Sequence, residues 1–421
     1  MKKIFCFFFF VALSINLYAQ KTEYWKGILK TGTLVDLLIT LEIHFDTDTL
    51  AFLGSPCQTE DIFKTSKIVF RNDSLLFSVK IENSIARFRG KYLSEDSIQG
   101  LFTQSISNIP LTLTKNENNI FFNRPQTPKN IDYICEEVNF FVDSVNYQFH
   151  GTLSYPNEGD NFPAVVLISG SGQQNRDEEI FHHKPFAVIA DYLTRNGIAV
   201  LRYDDRGYGT FDSSLSSATT YDFANDAEAA MSLLTSHKKI NPNQIGLLGH
   251  SEGGMIAPIV ASRNKNVAFI ILLAAPGVNG LDLLIEQNKK IMKGFGYNNK
   301  DIKNQINKLK NKDVSLGMNL PWMKYFIDFE PSKYLKQLTI PILALNGEKD
   351  SQVISSQNLP AIKKALKKAK NKNFDIIALP NLNHCFQECT TGLPNEYFFI
   401  EQTISPQVLQ LIKDFIKTYN K

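Results

Sequence analysis

The sequence is short of several features that would assign a protein to a class at once. It has 5 cysteines among 421 residues, and the clustered pair Cys385 and Cys389 has no second matching pair, so we expect no zinc site. Its 45 basic and 42 acidic residues leave a formal net charge of +3, which indicates no polyanionic partner. The Lys-rich stretch 363–372 is typical of a solvated helix face, and we therefore expect no nucleic-acid binding.

Long apolar runs are also scarce. The one such run lies at the start of the sequence. Two lysines precede the run Ile4–Leu13, and Leu17-Tyr18-Ala19 fits a cleavage site. The run is shorter than the roughly 20 residues of a membrane span, and Cys6 lies within it rather than at the cut. We therefore expect residues 1–19 to be a removed signal peptide. The mature protein is then periplasmic or secreted, without a stable membrane anchor.

Short alternating segments separated by turn residues occupy residues 20–115. This pattern predicts an antiparallel β domain, either a sandwich or a small barrel. The region has no recognisable catalytic set. We therefore expect it to serve as a scaffold or a lid, and ligand binding is the alternative role. Residues 116–137, with Pro125 and Pro128 among polar residues, are predicted to form a linker.

From residue 138 to residue 421 the pattern changes to strands that alternate with helices. It predicts an α/β domain with a mostly parallel sheet flanked by helices. Residues 277–338 have the pattern of amphipathic helices, and we expect them to form a cap insertion that controls substrate access. Its large apolar residues either line an acyl pocket or pack in the core. These residues are Trp322, Met323, Tyr325, Phe326 and Phe329.

The most informative stretch is Gly249-His250-Ser251-Glu252-Gly253-Gly254. It follows the apolar run Gln244–Leu248 and precedes the helix-compatible segment Met255–Ser262. In a G-x-S-x-G turn between strand and helix, the serine occupies a strained position at the tip, and the flanking glycines let the two segments approach. We predict that Ser251 is the nucleophile of an acyl transfer.

Asp350 and His384 complete a predicted catalytic triad. Each follows an apolar strand and is expected at the carboxyl end of the sheet, where open α/β proteins place their chemistry. His384 would take the proton of Ser251 and return it to the leaving group, while Asp350 would fix the imidazole tautomer. Glu348, in the same loop as Asp350, is an alternative acid.

Two backbone amides are expected to stabilise the oxyanion. The first belongs to Glu252, the residue after the nucleophile. The second is expected from the oxyanion loop, the Gly-rich turn 169–174 that follows the strand Ala164–Ile168. We favour Ser171 there, with Gly172 or Gln173 as alternatives, because the sequence does not distinguish adjacent amides.

These motifs together resemble the α/β-hydrolase superfamily. The resemblance rests on Gly170-Ser171-Gly172-Gln173-Gln174-Asn175-Arg176-Asp177, Asp204-Asp205-Arg206-Gly207-Tyr208-Gly209, the hexapeptide around Ser251, and Gly347-Glu348-Lys349-Asp350. Within the superfamily the chain looks like exported bacterial carboxylesterases with a β-rich N-terminal domain, close to the serine-aminopeptidase-like hydrolases. The resemblance implies a cofactor-free serine esterase for small-molecule esters of short or medium acyl chains. It leaves the oligomeric state open.

Two other functions stay open. A peptidase that removes N-terminal residues would need a carboxylate pair for the substrate ammonium group, and Glu178 and Glu179 are the adjacent candidates. A non-catalytic exported binding or scaffold protein would not need a complete triad.

Three local expectations concern the surroundings of the site. Ser169 stands where many relatives of the superfamily have a structural histidine, and Arg176 and Asp177 are expected to pair and brace the oxyanion loop. In an oxidising compartment, Cys385 and Cys389 either form a disulfide or remain buried thiols. The segment around His183 is expected to shape the wall of the site.

Overall fold

The computed structural model describes residues 21–30, 36–45, 49–56, 62–71, 73–81, 84–104, 107–118, 123–142, 145–210 and 217–419. The predicted signal peptide and Cys57 lie outside these ranges. The chain divides into two compact units between residues 121 and 122. Within the described ranges, no helix combines the length and the apolar character that crossing a membrane requires.

The first unit is a closed antiparallel barrel. Its strands are β1 (Lys21–Leu29), β2 (Leu37–Phe45), β3 (Leu50–Gly54), β4 (Ile62–Arg71), β5 (Ser74–Ile81), β6 (Ser84–Ser94), β7 (Ser97–Gln104) and β8 (Ser107–Asn116). Each strand pairs with the next, and the pairing of Tyr24 with Asn116 joins β1 to β8. Because side chains alternate between the faces of a strand, Trp25, Leu41 and Phe88 fill the interior. Of the two predicted β architectures, the barrel is therefore confirmed.

The second unit contains a mixed sheet in the order β16-β15-β14-β13-β11-β12-β10-β9. The antiparallel hairpin of β9 and β10 lies at one edge, and the strands from β11 to β16 run parallel to one another. The strands are β9 (Ile134–Val142), β10 (Tyr147–Tyr155), β11 (Phe162–Ile168), β12 (Ala199–Tyr203), β13 (Ile240–His250), β14 (Phe269–Leu273), β15 (Ile342–Gly347) and β16 (Phe374–Leu379). The first of them begins inside the segment that we predicted as a linker.

Helices cover both faces of this sheet. Outside the cap insertion they are α1 (Pro185–Arg195), α2 (Thr220–Ser236), α3 (Gly253–Arg263), α8 (Ser355–Lys368) and α9 (Pro406–Tyr419). In β11, Ala164, Val166 and Ile168 pack into one core, and Val165 and Leu167 pack into the other. Burial on both faces explains why the parallel strands are nearly continuous apolar runs. The predicted α/β architecture is confirmed.

The segment between β14 and β15 is helical, as the sequence predicted. It contains α4 (Gly280–Gly294), α5 (Asn299–Lys310), a short 3₁₀ turn (Val314–Leu316), α6 (Pro321–Ile327) and α7 (Pro331–Leu335). Part of it has a small core of its own, in which Ile285, Ile306 and Ile327 are buried. The helices stand between two strands whose carboxyl ends carry the candidate site, so they are placed to control access to it.

Candidate active site

The turn at Ser251 has the backbone of a nucleophile elbow. The strand β13 ends at His250, α3 begins at Gly253, and Ser251 between them has a φ of 52°, in the left-handed region. A Cβ atom at Gly249 would lie 2.0 Å from the carbonyl oxygen of Gly253, and one at Gly253 would lie 2.1 Å from that of Ile168. No larger residue fits at either position, which is the physical reason for the glycines of the motif.

His384 and Asp350 are in direct contact. His384 Nδ1 lies 2.9 Å from Asp350 Oδ2, while Asp350 Oδ1 accepts hydrogen bonds from the backbone amides of Gln352 and Val353 at 2.7 and 2.9 Å. The carboxyl group is fully buried. Because an ionised carboxylate only accepts, this contact assigns the proton to Nδ1 and leaves Nε2 free to act as a base. The alternative acid Glu348 is exposed.

Ser251 and His384 line the same cavity, which has a volume of about 290 Å³. Its other walls are mainly apolar and come from the cap, from the start of α1 and from the segment after His384. They include Leu283, Leu284, Trp322, Phe326, Phe186, Ile189, Phe386 and Ile404. Of the five cap residues considered as lining, Trp322 and Phe326 line the cavity, Tyr325 and Phe329 pack with the main core, and Met323 packs with the core of the cap.

The loop after β11 passes directly over the nucleophile. A Cβ atom at Gly170 would lie 3.3 Å from Ser251 Cβ, so the loop approaches as closely as its glycine allows. The amide of Gly170 is already occupied, since it donates to Glu178 Oε1 at 2.7 Å. The amide of Gln174 likewise donates to Asp205 Oδ2 at 2.9 Å.

The amides between these two anchors are the candidates for the oxyanion hole. In the part of the chain that the structure describes, the N–H groups of Ser171, Gly172, Gln173 and Glu252 donate no hydrogen bond. The predicted donors are thus available on both sides of Ser251. The choice between Ser171 and its two neighbours stays a prediction.

The oxyanion loop is braced in a different way from the one we predicted. Arg176 binds Asp204 at 2.7 Å and Glu137 at 2.6 Å, and Asp177 forms an ion pair with Arg202. The predicted pairing of Arg176 with Asp177 is therefore wrong. The two neighbouring side chains diverge to different partners on the strands β9 and β12 and on the segment that follows β12.

A second brace starts at Ser169, the residue that replaces the histidine of many relatives. Its hydroxyl donates to the carboxylate of Asp205, with distances of 2.7 and 2.8 Å to the two oxygens. Burial raises the pKa of Asp205 to about 8, although the hydrogen bonds from Ser169 and Gln174 oppose this shift. A buried carboxyl group thus ties both ends of the oxyanion loop to the segment after β12.

The pair of His250 and Glu178 was not anticipated from the sequence. His250 Nδ1 lies 2.9 Å from Glu178 Oε1, and His250 Nε2 lies 3.1 Å from the backbone oxygen of His384. Burial opposes a charge on the imidazole, but the carboxylate of Glu178 outweighs it and raises the pKa of His250. The sequence shows a histidine at the variable position of the motif. It does not show that this histidine contacts Glu178, which lies 72 positions away in the chain.

Glu252 links the elbow to two other elements through its side chain. Oε1 accepts hydrogen bonds from Thr220 Oγ1 at 2.7 Å and from Trp322 Nε1 at 2.8 Å. Oε2 is buried and receives no hydrogen bond of normal geometry from the described residues, although the nearby Ser171 hydroxyl favours the ionised form. Burial dominates and raises the pKa of Glu252. The residue after the nucleophile thereby connects the elbow to α2 and to the cap helix α6.

The proposed ammonium-binding pair is not assembled. Glu178 is engaged by His250 and Gly170, whereas Glu179 turns to Lys184 at 3.4 Å and to Asn175 at 3.2 Å. The two adjacent carboxylates therefore serve separate contacts and do not converge on one point.

Cys385 and Cys389 are both free thiols, so the disulfide alternative is not adopted. Burial raises the pKa of Cys389 to about 11 and raises that of Cys385 further. His183 itself is buried and contacts Thr403 and Tyr397, whereas Pro185 and Phe186 of the same segment line the cavity, as predicted for this segment. Among the described residues, no cluster of three or more His, Cys, Asp and Glu side chains is arranged to hold a metal ion.

Comparison with known proteins gives similarities that cover this site. Residues 227–391 match the family described as BAAT / acyl-CoA thioester hydrolase C terminal. The chain is 31% identical over 242 residues to esterase EstD of Thermotoga maritima, an alignment that covers 56% of this chain and 57% of that protein. It thus spans little more than half the length of the relative that it matches.

Solved structures with a similar fold include an esterase of Pyrococcus furiosus, with 16% identity, a TM-score of 0.47 and coverage of 72% of this chain and 99% of that one. Est1E from Butyrivibrio proteoclasticus has 14% identity and a TM-score of 0.43, with coverage of 68% of this chain and 98% of that one. The strand order and the elbow at Ser251 show that the second unit of this chain has an α/β-hydrolase fold, and the sequence similarities cover the part of it that contains Ser251 and Asp350.

Proposed function

We propose that the protein is a serine esterase that cleaves carboxylic esters of short or medium acyl chains through an acyl-enzyme. The observation that carries the proposal is that Ser251, in its left-handed elbow, and His384, which contacts the buried Asp350, lie on the wall of one apolar cavity. This combination of a serine at the tip of an elbow, a histidine oriented by a carboxyl group and amides that donate no hydrogen bond suits acyl transfer.

In the proposed reaction, Ser251 Oγ attacks the ester carbon while His384 Nε2 accepts its proton. The negative charge on the former carbonyl oxygen is stabilised by the amide of Glu252 and by one amide of the loop at Ser171 or Gly172. His384 then protonates the departing alcohol, and the acyl group remains on Ser251. A water molecule, deprotonated by His384, repeats the attack and releases the carboxylic acid.

The cavity supports the proposed chain length. A volume of about 290 Å³ is at the lower end of the range of ligand pockets. Its apolar lining favours an aliphatic or aromatic acyl group over a charged one. A second cavity of about 320 Å³ shares Gly170, Ser171 and Trp322 with the first. Because the indole of Trp322 lines both cavities, we expect it to restrict acyl chains to the first one and long chains to be poor substrates.

The peptidase alternative lacks the feature that it requires. Glu178 is committed to His250 and to the amide of Gly170, so it does not form with Glu179 the carboxylate pair that would hold a substrate ammonium group. A purely non-catalytic role would leave the strained elbow and the buried His384–Asp350 contact without a purpose, since a strained backbone costs about 1–3 kcal/mol.

Hydrolysis of p-nitrophenyl esters from acetate to palmitate tests this function directly. The assay should use the mature protein and its Ser251→Ala variant, beside aminoacyl p-nitroanilides and an acetyl thioester. We expect turnover of the short esters that falls with chain length and disappears in Ser251→Ala. Faster cleavage of the anilides would favour the peptidase, and ester turnover that survives in Ser251→Ala would refute the mechanism.

We also propose that the protein is exported, on the basis of residues 1–19. Expression of the full chain in a Gram-negative host, followed by cell fractionation and N-terminal sequencing, tests this. The expected product is periplasmic or secreted and begins at Gln20, whereas a cytoplasmic product that keeps its N-terminus would contradict the proposal.

A further inference from the structure

We propose that His250 is held as an imidazolium cation by Glu178, and that this charged pair is a positioning device for the loops on either side of Ser251. The inference rests on the proposed function, because it assigns a task to residues around the proposed nucleophile. It adds two residues that take no part in the reaction steps described above.

Counting donors and acceptors around His250 gives the first argument. Its Nε2 lies 3.1 Å from the backbone carbonyl oxygen of His384, and a carbonyl oxygen only accepts, so Nε2 must carry a hydrogen. Its Nδ1 lies 2.9 Å from Glu178 Oε1. A carboxylate also only accepts, so Nδ1 must carry the second hydrogen. With both ring nitrogens as donors, the imidazole is the cation.

The contacts of Glu178 show its Oε1 atom in the role of an acceptor. The same Oε1 atom that faces His250 accepts a hydrogen bond from the amide of Gly170 at 2.7 Å. Two further titratable side chains face His250. Asp350 also favours the imidazolium. The ring of His384, whose centroid lies 4.8 Å from that of His250, is uncharged as the general base that begins the proposed reaction. Glu178 is 6% exposed and the His250 side chain 13%, so solvent weakens their attraction only slightly.

The contacts of the pair explain what it positions. On one side, Glu178 fixes the amide of Gly170, whose Cα lies directly over Ser251. On the other side, His250 fixes the backbone carbonyl of His384, while Asp350 fixes the ring of the same residue. The oxyanion loop, the elbow and the loop of the general base are thus joined through one ion pair.

The backbone at Glu178 supports a functional constraint. This residue has a φ of 50°, which is uncommon for a residue other than glycine and costs about 1–3 kcal/mol. Such a conformation persists where the surrounding contacts determine it. Here it turns the carboxylate back toward Gly170 and His250.

The proton on His250 gives the device a defined dependence on pH. Its pKa in the folded protein is raised above the ordinary value of 6.5, so the contribution of the imidazolium is fully present below pH 6.5 and extends to higher pH than for a free histidine. Its contribution is lost as the pH rises through the folded pKa, because the lone pair of Nδ1 then faces the carboxylate of Glu178. We therefore expect an alkaline loss of catalysis that depends on His250.

Protonation of His250 can be measured without any assay of activity. The protein has 7 histidines, and ¹³Cε1-histidine labelling gives one NMR resonance for each. The resonance of His250 is the one missing from His250→Gln or His250→Asn. We expect it to titrate above 6.5, and we expect this pKa to fall in Glu178→Gln because the carboxylate that raises it is removed. A titration at or below 6.5 would overturn the proposal, and if Glu178→Gln does not fold, the wild-type titration decides.

The positioning role has a kinetic test with a matched control. Glu178→Gln and His250→Gln should lower kcat for a p-nitrophenyl ester by about 100-fold, because displacing reacting groups by about 1 Å has this effect, whereas KM should change by less than about threefold. The alkaline limb of the pH profile should move in both variants. The control is Glu179→Gln, which changes the neighbouring carboxylate and should behave as the wild type.

The two proposals fail in distinguishable ways. Absence of ester turnover in the wild type would remove the proposed function and leave the NMR result to decide the protonation of His250. Normal turnover in the wild type, with kcat and pH profile unchanged in a folded Glu178→Gln, would remove the positioning role alone.

Discussion

Replacement of Asp350 by asparagine should trap His384 in the wrong tautomer. The two oxygens of Asp350 have different partners: Oδ1 accepts the amides of Gln352 and Val353, and Oδ2 faces His384 Nδ1. In Asp350→Asn, the amide oxygen must stay with the two backbone donors, so the NH₂ group faces Nδ1. Nδ1 then accepts a hydrogen bond, and Nε2 carries the proton and cannot act as the base toward Ser251.

The expected loss is about 10⁴-fold in kcat, the size that a wrong tautomer produces in serine hydrolases. This corresponds to about 5.5 kcal/mol of transition-state stabilisation. The fold should survive, because the variant keeps the volume of Asp350 and both backbone hydrogen bonds. Steady-state hydrolysis of p-nitrophenyl butyrate, with chemical denaturation as the measure of folding, checks both points.

Glu348→Gln is the matched control, since it removes an exposed carboxylate from the same loop. We expect it to retain the activity of the wild type. A folded Asp350→Asn variant whose kcat lies within about tenfold of the wild type would refute the reasoning. An inactive Glu348→Gln variant beside it would move the acid to that residue.

Three further predictions concern the scaffold of the site. Trp322→Phe keeps a ring but removes one of the two hydrogen bonds that Glu252 Oε1 accepts, leaving the one from Thr220, and it should lower the free energy of unfolding by about 1 kcal/mol in urea denaturation; an unchanged midpoint would show that the bond contributes nothing. Gly253→Ala places a Cβ atom 2.1 Å from a carbonyl oxygen, so it should cost about 3 kcal/mol or prevent folding, and wild-type stability in the same titration would contradict the elbow geometry. Cys385 and Cys389 should both react with Ellman's reagent in denaturant without a reductant, and a pair that reacts only after reduction would show a disulfide.

Local constraints made the elbow and several elements predictable from the sequence. The motif around Ser251 demands one backbone conformation, and the left-handed φ of this residue fulfils it. The predicted strand Ala164–Ile168 lies within β11, and the helix-compatible segment Met255–Ser262 lies within α3. In these cases, the information lies within one short stretch of chain.

Contacts between distant residues were not predictable in the same way. Sequence adjacency suggested that Arg176 pairs with Asp177, but the sheet presents each of them with a closer partner. His250 and Glu178 meet only after the strands β11 and β13 have paired in parallel. The closure of the barrel likewise depends on the register between its first and last strands, which no local pattern of residues specifies.

The central claim is that Ser251 forms a covalent acyl intermediate. The most direct test is mass spectrometry of the protein after reaction with diethyl p-nitrophenyl phosphate, with peptide mapping of the adduct and ester hydrolysis measured on the same samples. We predict one phosphoryl adduct, on Ser251, with a parallel loss of hydrolysis and no adduct in Ser251→Ala. Ester hydrolysis that continues after full modification of Ser251, or an inactivating adduct on another residue, would contradict the account.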